Sequence, residues 1–508
     1  MENYLHRRIL EIIPGFLTWS AFFMTFLLTF YSPIAIAVFI LCFDMFWLYR
    51  SIRLSINTSI AYNRMKQEAK IDWVNKIENI DYSKTNNLIA SKYKFNDLYQ
   101  VVLLIFYKEP IELIEESVKS YIVSNYNKEK FILVLATEER AGDHGENVYN
   151  YIKNKYSQHF HMILKTTHPA NIKGEIKSKS SNATWGAREV KKYLDKNKIN
   201  YDQVILHNFD ADTKTRSPFF HYVAYKYLTT NINQPTSYQP IHVYLNNMWE
   251  APAAVRVVAM SSTLIFMHNT LREKKLHHFS SRVDIFKTLV DINYWTVDSI
   301  PEDSREYYDS YFFYRGKLKV EPLYIPLEMN AVLSDTFFKT IKNQYQQLRR
   351  WAWGIVDFPY VVFKAFEDKN ISFWKKLYKI FYLLESHFSW ATGAIFITIL
   401  SWIPAYFNPT FSKTVLGANL PFYSRSILLF ALIGLIVSIY ISLKLIPSKP
   451  ETTLFYRTHK YISFILQWFL VPIVSIFLSA FASIDAQTRL MFGKYLEYQV
   501  SDKMAVKN

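Results

Sequence analysis

Two apolar stretches near the N-terminus restrict this chain more than any other feature of its sequence. Residues 12–30 contain no charged side chain, and after a turn-like Tyr-Ser-Pro sequence a second apolar run reaches residue 49, interrupted only by Asp44. Roughly 20 apolar residues cross a bilayer as a helix, so each run has the length of a membrane span. Because a second span follows at once and no small-residue cleavage pattern appears, the pair is predicted to be a retained membrane hairpin, not a signal peptide.

Basic residues on both sides of the hairpin predict its orientation. Arg7 and Arg8 precede it, and Arg50, Arg53 and Arg64 follow it. By the positive-inside rule, both ends of the hairpin lie in the cytoplasm, together with the long polar segment that comes next. We therefore expect an integral protein of a bacterial plasma membrane with a cytoplasmic central domain.

The net charge of +16 is consistent with lysines and arginines that face anionic lipid headgroups. Nucleic acid is not expected as a partner, because the sequence contains no zinc-ligand spacing and no compact basic repeat. The single cysteine, Cys42, lies inside the second apolar run, which excludes an intrachain disulfide and a cysteine metal cluster.

The central segment alternates short apolar runs with amphipathic stretches. The runs occupy residues 100–106, 131–137, 160–165 and 201–209, and each is followed by a stretch of helical periodicity. This alternation predicts an α/β fold with a Rossmann-like, mostly parallel sheet that carries helices on both faces. Ligands of such sheets bind beyond the carboxyl ends of the strands, so we expect the functional site there.

Three more apolar runs follow at residues 377–403, 426–446 and 461–484. The first link between them is poor in positive charge and the second is rich in it, which places the first outside and the second inside. The expected domains are a hairpin at 1–50, a cytoplasmic domain at 51–340, interfacial amphipathic helices at 341–370, C-terminal membrane helices at 371–484 and a tail at 485–508.

Asp210 and Asp212 stand directly after the fourth apolar run. Two carboxylates at a strand end provide hard oxygen ligands for Mg²⁺ or Mn²⁺, which such ions often share with substrate phosphates. A helix N-cap is the alternative, because aspartate is common at that position and a Ser-Pro sequence opens a helix shortly afterwards.

Polar residues also follow other parts of the predicted sheet. Tyr107 and Glu109 come after the first run and Glu138 after the second, where they are positioned to hold a base and a ribose. Lys177 and Asn182 stand at a predicted helix start, where a diphosphate is favoured by the helix N-terminus. A solvated surface is the alternative for the lysines in this stretch.

Farther along, Glu302 and Asp303 lie between an aromatic stretch and a predicted helix. Such a carboxylate pair is suited to act as a general base toward an acceptor hydroxyl. A Pro-Glu-Asp sequence is equally an ordinary first helical turn, and the sequence leaves both interpretations open.

Gln347, Arg350 and Trp351 share one face of a predicted helix, since they stand at positions i, i+3 and i+4. A guanidinium binds phosphate through two parallel hydrogen bonds, the amide adds hydrogen bonds, and the indole offers a flat surface for a sugar ring. The alternative is an aromatic anchor in the membrane interface, which is the role expected of Arg349 and Trp353.

In order and spacing, these motifs resemble those of the membrane-embedded family 2 processive glycosyltransferases, the group of the cellulose, hyaluronan and poly-N-acetylglucosamine synthases. The matching motifs are Tyr-x-Glu at 107–109, Lys-x4-Asn at 177–182, Asp-x-Asp at 210–212, Glu-Asp at 302–303 and Gln-x-x-Arg-Trp at 347–351. The resemblance implies a domain of the glycosyltransferase A type. It also implies inverting transfer from a nucleotide sugar, of the UDP-sugar kind, to a glycan or lipid acceptor.

The same resemblance implies roles for individual residues. Asp210 and Asp212 would hold Mg²⁺ or Mn²⁺ against the leaving diphosphate, and Asp303, beside Glu302, would remove the proton of the acceptor hydroxyl. The remaining implied roles are Arg350 at the diphosphate, Gln347 and Trp351 at the acceptor sugar, and Glu138 beside the uracil.

Three departures from the family pattern stand out. Glu138 and Glu139 compete for the position where the family usually has an aspartate, and Pro301 stands where processive synthases often have threonine. The tail resembles the Phe-x-Val-Thr-x-Lys gating loop of cellulose synthases through Tyr498, Val500, Ser501 and Lys503, but no membrane helices are expected after it.

That tail conflicts with the predicted topology. A gating loop has to reach the cytoplasm, yet three crossings after a cytoplasmic domain leave the tail outside. One of the three runs therefore need not span: the last contains Pro472, and the first contains Glu385 and His387. Ionisable groups within a span usually face a channel or a partner, so these two either line a polymer path or pair with each other.

Three functions are consistent with the sequence. The first is a synthase that extends a polysaccharide and passes it through its own helices, and the second is a non-processive transferase that glycosylates a lipid or lipid carrier. The third is a non-catalytic scaffold of the cell envelope. Counting the sugars added per acceptor separates the first two, and only a scaffold is indifferent to Asp210→Asn and Asp303→Asn.

Overall fold

The computed structural model describes residues 4–230, 234–447 and 453–497, which form two compact units. The sheet unit comprises the described parts of residues 63–250 and 269–334. The helical unit comprises the described parts of residues 1–62, 251–268 and 335–497. Strands and helices are numbered along the whole chain.

The sheet unit is built on eight strands in the order β3-β2-β1-β4-β7-β6-β8-β5. The strands β1 to β4 and the pair β6/β8 are parallel, whereas β7 is antiparallel to β4 and β6, and β5 to β8. The strands are β1 (Tyr99–Ile105), β2 (Phe131–Glu138), β3 (Met162–His168), β4 (Val204–Asp210), β5 (Lys214–Thr215), β6 (Thr236–Val243), β7 (Arg282–Ile285) and β8 (Lys319–Glu328).

Helices cover both faces of this sheet. Successive side chains of a strand point to opposite faces, and in β1 Val102 and Leu104 pack in one apolar core while Val101 and Leu103 pack in another. The helices are α3 (Trp73–Glu78), α4 (Leu88–Lys92), α5 (Ile111–Ile122), α6 (Asp143–Tyr156), α7 (Lys179–Lys196), α8 (Phe219–Thr229), α10 (Phe286–Asp291) and α11 (Glu302–Phe313). The predicted α/β fold with a mostly parallel sheet is confirmed, and its second half is mixed.

All regular secondary structure in the described residues of the helical unit is helical. They are α1 (Tyr4–Tyr31), α2 (Pro33–Glu68), α9 (Ala253–Asn269), α12 (Phe337–Ala352), α13 (Phe358–Glu367), α14 (Phe373–Ile399), α15 (Ile403–Phe407), α16 (Pro409–Ser412), α17 (Val415–Leu445), α18 (Leu454–Leu466), α19 (Val471–Ile473) and α20 (Phe481–Met491), of which α2 and α9 continue into the sheet unit.

Five helical stretches are long and apolar enough to cross a membrane: Tyr4–Tyr31, Pro33–Glu68, Phe373–Phe407, Val415–Leu445 and Leu454–Met491. They coincide with the five apolar runs of the sequence, so the predicted helical membrane region is confirmed by length and composition. In the last stretch a 3₁₀ turn precedes Pro472 and a π-helical segment, Val474–Ala480, follows it. A helix of this kind is locally irregular on both sides of the proline.

Glu385 and His387 of α14 are not paired with each other. Glu385 accepts a hydrogen bond from Arg50 Nη1 of α2 at 2.9 Å and another from Ser389 at 2.8 Å. His387 is buried, and its carbonyl accepts from Gln487 Nε2 of α20 at 2.9 Å. Both residues therefore take part in contacts between helices of the helical unit.

Candidate active site

The carboxyl ends of β1, β2 and β4 meet at one edge of the sheet. Ile105, the last residue of β1, is in register with Asp210 at the end of β4 and with Ala136 of β2. Parallel strands end at a common edge, so Tyr107, Glu138 and Asp210 leave the sheet there. This is the location that the sequence predicted.

Two residues link Asp210 to the Glu-Asp pair at the start of α11. Lys179 Nζ lies 2.7 Å from Asp210 Oδ1 and 3.4 Å from Glu302 Oε1. Ser280 donates its backbone N–H to Asp303 Oδ2 at 3.0 Å and its hydroxyl to Asp210 Oδ2. Carboxylates from separate parts of the chain are thus held in one cluster.

Asp212 belongs to the same region of the sheet unit. It is fully buried, and its Oδ2 accepts a hydrogen bond from the backbone N–H of Asn330 at 2.9 Å. Burial raises the pKa of Tyr244 above its usual value, and the charges of Asp210, Asp212 and Asp303 raise it further. The phenol of Tyr244 therefore lies in the field of three carboxylates.

Lys179 is the positive charge inside this cluster. Burial alone would lower the pKa of Lys179, but the nearby Asp210 and Glu302 outweigh it, so the pKa is raised and the ammonium stays charged. Burial raises the pKa of Glu302, Lys179 opposes that change, and Asp303 adds to it. Lys179 interacts with Asp210 and Glu302, and Arg282 with Glu302 and Asp303. Together with Asp212, four carboxylates thus face two positive charges, which leaves an excess of negative charge.

A divalent cation fits the donor atoms of this cluster. Asp210 and Asp212 provide carboxylate oxygens at a strand end, and Mg²⁺ and Mn²⁺ prefer oxygen ligands. The excess negative charge favours a cation in the same place.

A second group, His278, Asp284 and Glu306, has donor atoms within 4.8 Å of one another. The Nε of Arg282, however, lies 3.3 Å from Asp284 Oδ2 and 3.4 Å from Glu306 Oε2. The guanidinium already places a positive charge between these two carboxylates, as Lys179 does beside Asp210. Asp210 and Asp212, however, stand at the carboxyl end of a strand, where ligands of such sheets bind, so their site is the better candidate for a metal ion.

The residues predicted to hold a base and ribose form a connected group. Tyr107 donates its backbone N–H to Glu109 Oε2 at 2.6 Å, and its ring lies 5.2 Å from the guanidinium carbon of Arg140. Arg140 Nε in turn donates to Glu138 Oε2 at 2.9 Å. Glu139 does not join this group through its Oε2, which accepts a hydrogen bond from the backbone N–H of Ala170 at 2.6 Å.

The two residues predicted at the helix start have different environments. Lys177 is exposed, whereas Asn182 is buried on α7 and donates from Nδ2 to the carbonyl of Ala136 at 3.0 Å. Lys179, which the sequence analysis did not select, is the lysine that reaches the carboxylates. The sequence does not distinguish Lys177 from Lys179, because a single residue separates them and α7 begins at the second of the two.

Gln347, Arg350 and Trp351 lie on α12 of the helical unit, whereas the carboxylates lie in the sheet unit. Gln347 is buried and its Oε1 accepts from Gln344 Nε2 at 3.1 Å. Trp351 packs against an apolar cluster that includes Leu348 of the same helix. Tyr498, Val500, Ser501 and Lys503 lie outside the described residues.

Sequence reasoning also missed Ser280, Tyr244 and Arg282. Each lies on or next to β6 or β7, two strands that the sequence did not predict. In β7 the buried residues include Arg282 and Asp284, which interrupt the apolar run by which a buried strand is recognised.

No protein-family model matches this chain, and no curated protein matches it. Among solved structures, it is similar to a mannosyltransferase from Pyrobaculum calidifontis in complex with GDP-Man and Mn²⁺, with 11% identity, a TM-score of 0.40, and coverage of 85% of this chain and 99% of that one. It is also similar to S. aureus TarS in complex with UDP, with 12% identity, a TM-score of 0.34, and coverage of 80% and 95%.

A third structure, GalNAc-T7 with UDP, GalNAc and Mn²⁺, has 12% identity, a TM-score of 0.33, and coverage of 58% of this chain and 59% of that one. These neighbours are glycosyltransferases. A likeness this distant assigns neither substrate nor reaction to the present chain, so its function has to be argued from its own site.

Proposed function

We propose that this protein is an inverting, metal-dependent glycosyltransferase that transfers a sugar from a nucleotide sugar to a growing polysaccharide at the cytoplasmic face of a bacterial plasma membrane. The observation that carries the proposal is the bridge made by Ser280, which joins Asp210 of the strand end to Asp303 of α11. A metal ligand and a general base have to be near each other for in-line transfer, and this bridge brings the two carboxylates together.

In this proposal Asp303 removes the proton from the acceptor hydroxyl. Its two oxygens are oriented by backbone N–H groups, since Oδ2 accepts from Ser280 at 3.0 Å and Oδ1 accepts from Ser304 at 2.8 Å. Such bonds fix the direction in which the carboxylate oxygens point. Glu302, held by Lys179, adds negative charge beside it.

The donor is proposed to lie along the edge of the sheet. Asp210 and Asp212 would hold Mg²⁺ or Mn²⁺, which neutralises the leaving diphosphate. Lys179 is the cation best placed to face the same diphosphate. The sequence motifs supply the further contacts: Tyr107, Glu109 and Glu138 at the base and ribose, Asn182 and Arg350 at the diphosphate, and Gln347 and Trp351 at the acceptor. In this proposal Lys179 takes the place at the diphosphate that the motif gave to the exposed Lys177.

The membrane topology proposed here has four crossings, made by α1, α2, α14 and α17. Support comes from α9, a helix of 17 residues that is flanked in the sequence by segments of the proposed cytoplasmic domain, so a single crossing of the membrane by α9 is excluded. Arg256 of α9 is 4% exposed and donates from Nε to Gln467 at 2.6 Å and from Nη2 to Ser463 at 2.8 Å. The beginning of the last apolar stretch is therefore held near the cytoplasmic face.

The end of the same stretch is held there as well. Arg349 of α12 lies 2.9 Å from Asp485 Oδ2 of α20, and Arg8, near the start of α1, donates from Nη2 to the carbonyl of Met491 at 3.0 Å. Because both ends have partners on the cytoplasmic side, Leu454–Met491 does not cross the membrane in this proposal. The proposed gating tail then starts in the cytoplasm, which removes the conflict noted in the sequence.

The test is transfer by the purified protein in lipid vesicles with Mg²⁺ or Mn²⁺ and a panel of nucleotide sugars, with product masses measured. A ladder of products that grows by one sugar mass supports polymer synthesis. A single added sugar on a lipid contradicts the polymer and favours the non-processive alternative. No transfer from any donor, with no effect of Asp210→Asn on any property of the protein, favours a scaffold and contradicts the enzyme.

A further inference from the structure

A second charged cluster lies next to the candidate active site and is completely buried. It consists of Arg282 on β7, Asp284 on the same strand, Glu306 on α11 and His278. Arg282 Nε lies 3.3 Å from Asp284 Oδ2 and 3.4 Å from Glu306 Oε2, and His278 Nδ1 is hydrogen-bonded to Glu306 Oε2. The proposed reaction assigns no step to any of these groups.

This cluster is built from the two chain segments that also supply the candidate active site. His278 and Arg282 stand two residues before and two residues after Ser280, and Glu306 stands three residues after Asp303 on α11. The two segments are therefore joined by Ser280 with Asp303 at the site, and by both Arg282 and His278 with Glu306 in the buried cluster. A helix rotates by about one turn over three to four residues, so Glu306 fixes the rotation of the turn that carries Asp303.

Arg282 also contacts the bridging segment directly. Its Nη1 donates to the carbonyl of Ser280 at 3.3 Å, while the N–H of that same serine donates to Asp303. Arg282 thus contacts the backbone of Ser280 and, through Glu306, the helix α11 that carries Asp303.

We propose that Arg282 is a positioning residue for the transfer reaction. It acts with Glu306 to hold Ser280 and Asp303 in the geometry in which Asp303 accepts the proton of the acceptor hydroxyl. This inference rests on the proposed function. It assigns Arg282 no contact with substrate; its effect passes through the Ser280 carbonyl and through α11.

Loss of fold stability alone cannot test this role. Removing one partner of a buried ion pair leaves an uncompensated charge and destabilises most proteins, whatever else the pair does. The test therefore needs a readout that a purely structural pair would leave unchanged, namely the division of the effect between kcat and KM for the donor.

The variants are Arg282→Met, which removes the charge, Arg282→Lys, which keeps it, and Glu306→Gln, which keeps the acceptor for Ser310 but removes its charge. The matched control is Glu115→Gln on α5. Glu115 is a buried carboxylate, 8% exposed, that accepts hydrogen bonds from Lys155 at 2.7 Å and from Tyr156 at 2.6 Å, and neither partner belongs to the candidate site. All variants are compared as full-length protein in lipid, with Tm measured for each.

We expect Arg282→Met and Glu306→Gln each to lower kcat about 100-fold, the size of effect that follows a displacement of about 1 Å at a reacting group, with donor KM changed less than about threefold. Arg282→Lys should recover a large part of kcat. The double variant should lose no more than the worse single variant, because the two side chains act as one unit.

Glu115→Gln should lower Tm without lowering kcat. Values of kcat within about twofold of wild type in folded Arg282→Met would overturn the positioning role. A change in KM with unchanged kcat would overturn it as well. If the wild-type protein transfers no sugar from any donor, the proposed function itself is contradicted. If the wild type is active and Arg282→Met is equally active, only the positioning role is contradicted.

Discussion

The ammonium of Lys179 lies 2.7 Å from Oδ1 of Asp210, and both side chains are shielded from solvent at the carboxyl end of the sheet. This ion pair joins the first residue of α7 to the last residue of β4. The second positive charge near it, Arg282, is completely buried and lies between Asp284 and Glu306. We therefore expect Lys179 to be the cation of the cluster that attracts an anionic diphosphate.

Lys179→Gln is therefore expected to weaken the binding of a nucleoside diphosphate. Loss of a charge-assisted hydrogen bond costs about 1.5–3 kcal/mol, which corresponds to a roughly 10- to 100-fold higher Kd. Isothermal titration with UDP and Mn²⁺ measures this change. The matched control is Lys177→Gln, whose exposed side chain should leave Kd within about twofold; equal effects of the two variants would contradict the assignment.

Arg350→Ala should also weaken the binding of the nucleoside diphosphate, because the motif to which Arg350 belongs implies a contact with that group. Arg349→Ala is the control, since Arg349 is paired with Asp485 at 2.9 Å within the helical unit. We expect a rise in Kd of about 10-fold or more for Arg350→Ala alone. An affinity unchanged by Arg350→Ala would make this arginine a membrane anchor.

The four-crossing topology predicts the side of the membrane on which the chain continues after α20. Cys42 is replaced by serine, and single cysteines are introduced at the exposed positions Lys70, Thr410 and Lys494. In intact cells an impermeant maleimide should label Thr410→Cys, and should label Lys70→Cys and Lys494→Cys only after permeabilisation. Labelling of Lys494→Cys in intact cells would show a fifth crossing.

Buried histidines make the sheet unit sensitive to acid. Burial lowers the pKa of His207 to about 3 and that of His221 to about 4, from an ordinary value near 6.5. A histidine with a depressed folded pKa contributes stability above its unfolded pKa and loses it as the pH falls through the folded value. The loss is therefore expected between about pH 6.5 and pH 4.

His221→Phe tests this dependence, because His221 packs against Phe95 and Tyr126 with ring centroids at 5.7 Å and 5.1 Å. Between pH 7 and pH 5 the wild type should lose about 2 kcal/mol of stability through His221, and the variant should not. Amide hydrogen exchange of the sheet unit measures the difference as an opening free energy. Exposed His159→Gln is the control, and identical slopes for wild type and His221→Phe would contradict the account.

The sequence allowed the first half of the sheet to be predicted because β1 and β2 are mostly apolar runs buried on both faces, and β4 begins with a run of the same kind. The second half escaped prediction for physical reasons. The strand β8 contains Pro322 and Pro326, and β6 contains Pro240, all residues that argue against a strand. In β7 the buried charges of Arg282 and Asp284 pair with each other, and Arg282 also pairs with Glu306 of α11.

The same distinction applies to the candidate site. Asp210, Asp212, Glu302 and Asp303 could be proposed from the sequence, since carboxylates next to predicted strand ends and helix starts are visible as local motifs. Ser280 and Lys179 could not, because their importance comes only from bonds to residues that are distant in the sequence. Local patterns indicate which side chains are chemically capable, and the fold determines which of them meet.

The most direct test of the central claim is sugar transfer by Asp303→Asn, since asparagine keeps an oxygen that accepts the N–H of Ser280 but cannot take up a proton. The control is Asp309→Asn on the same helix, which removes the partner of Arg305. The account predicts that Asp303→Asn lowers turnover of the nucleotide sugar by about 100-fold or more, while the Kd of the donor stays within about threefold. Turnover of Asp303→Asn equal to that of Asp309→Asn and of wild type would contradict it.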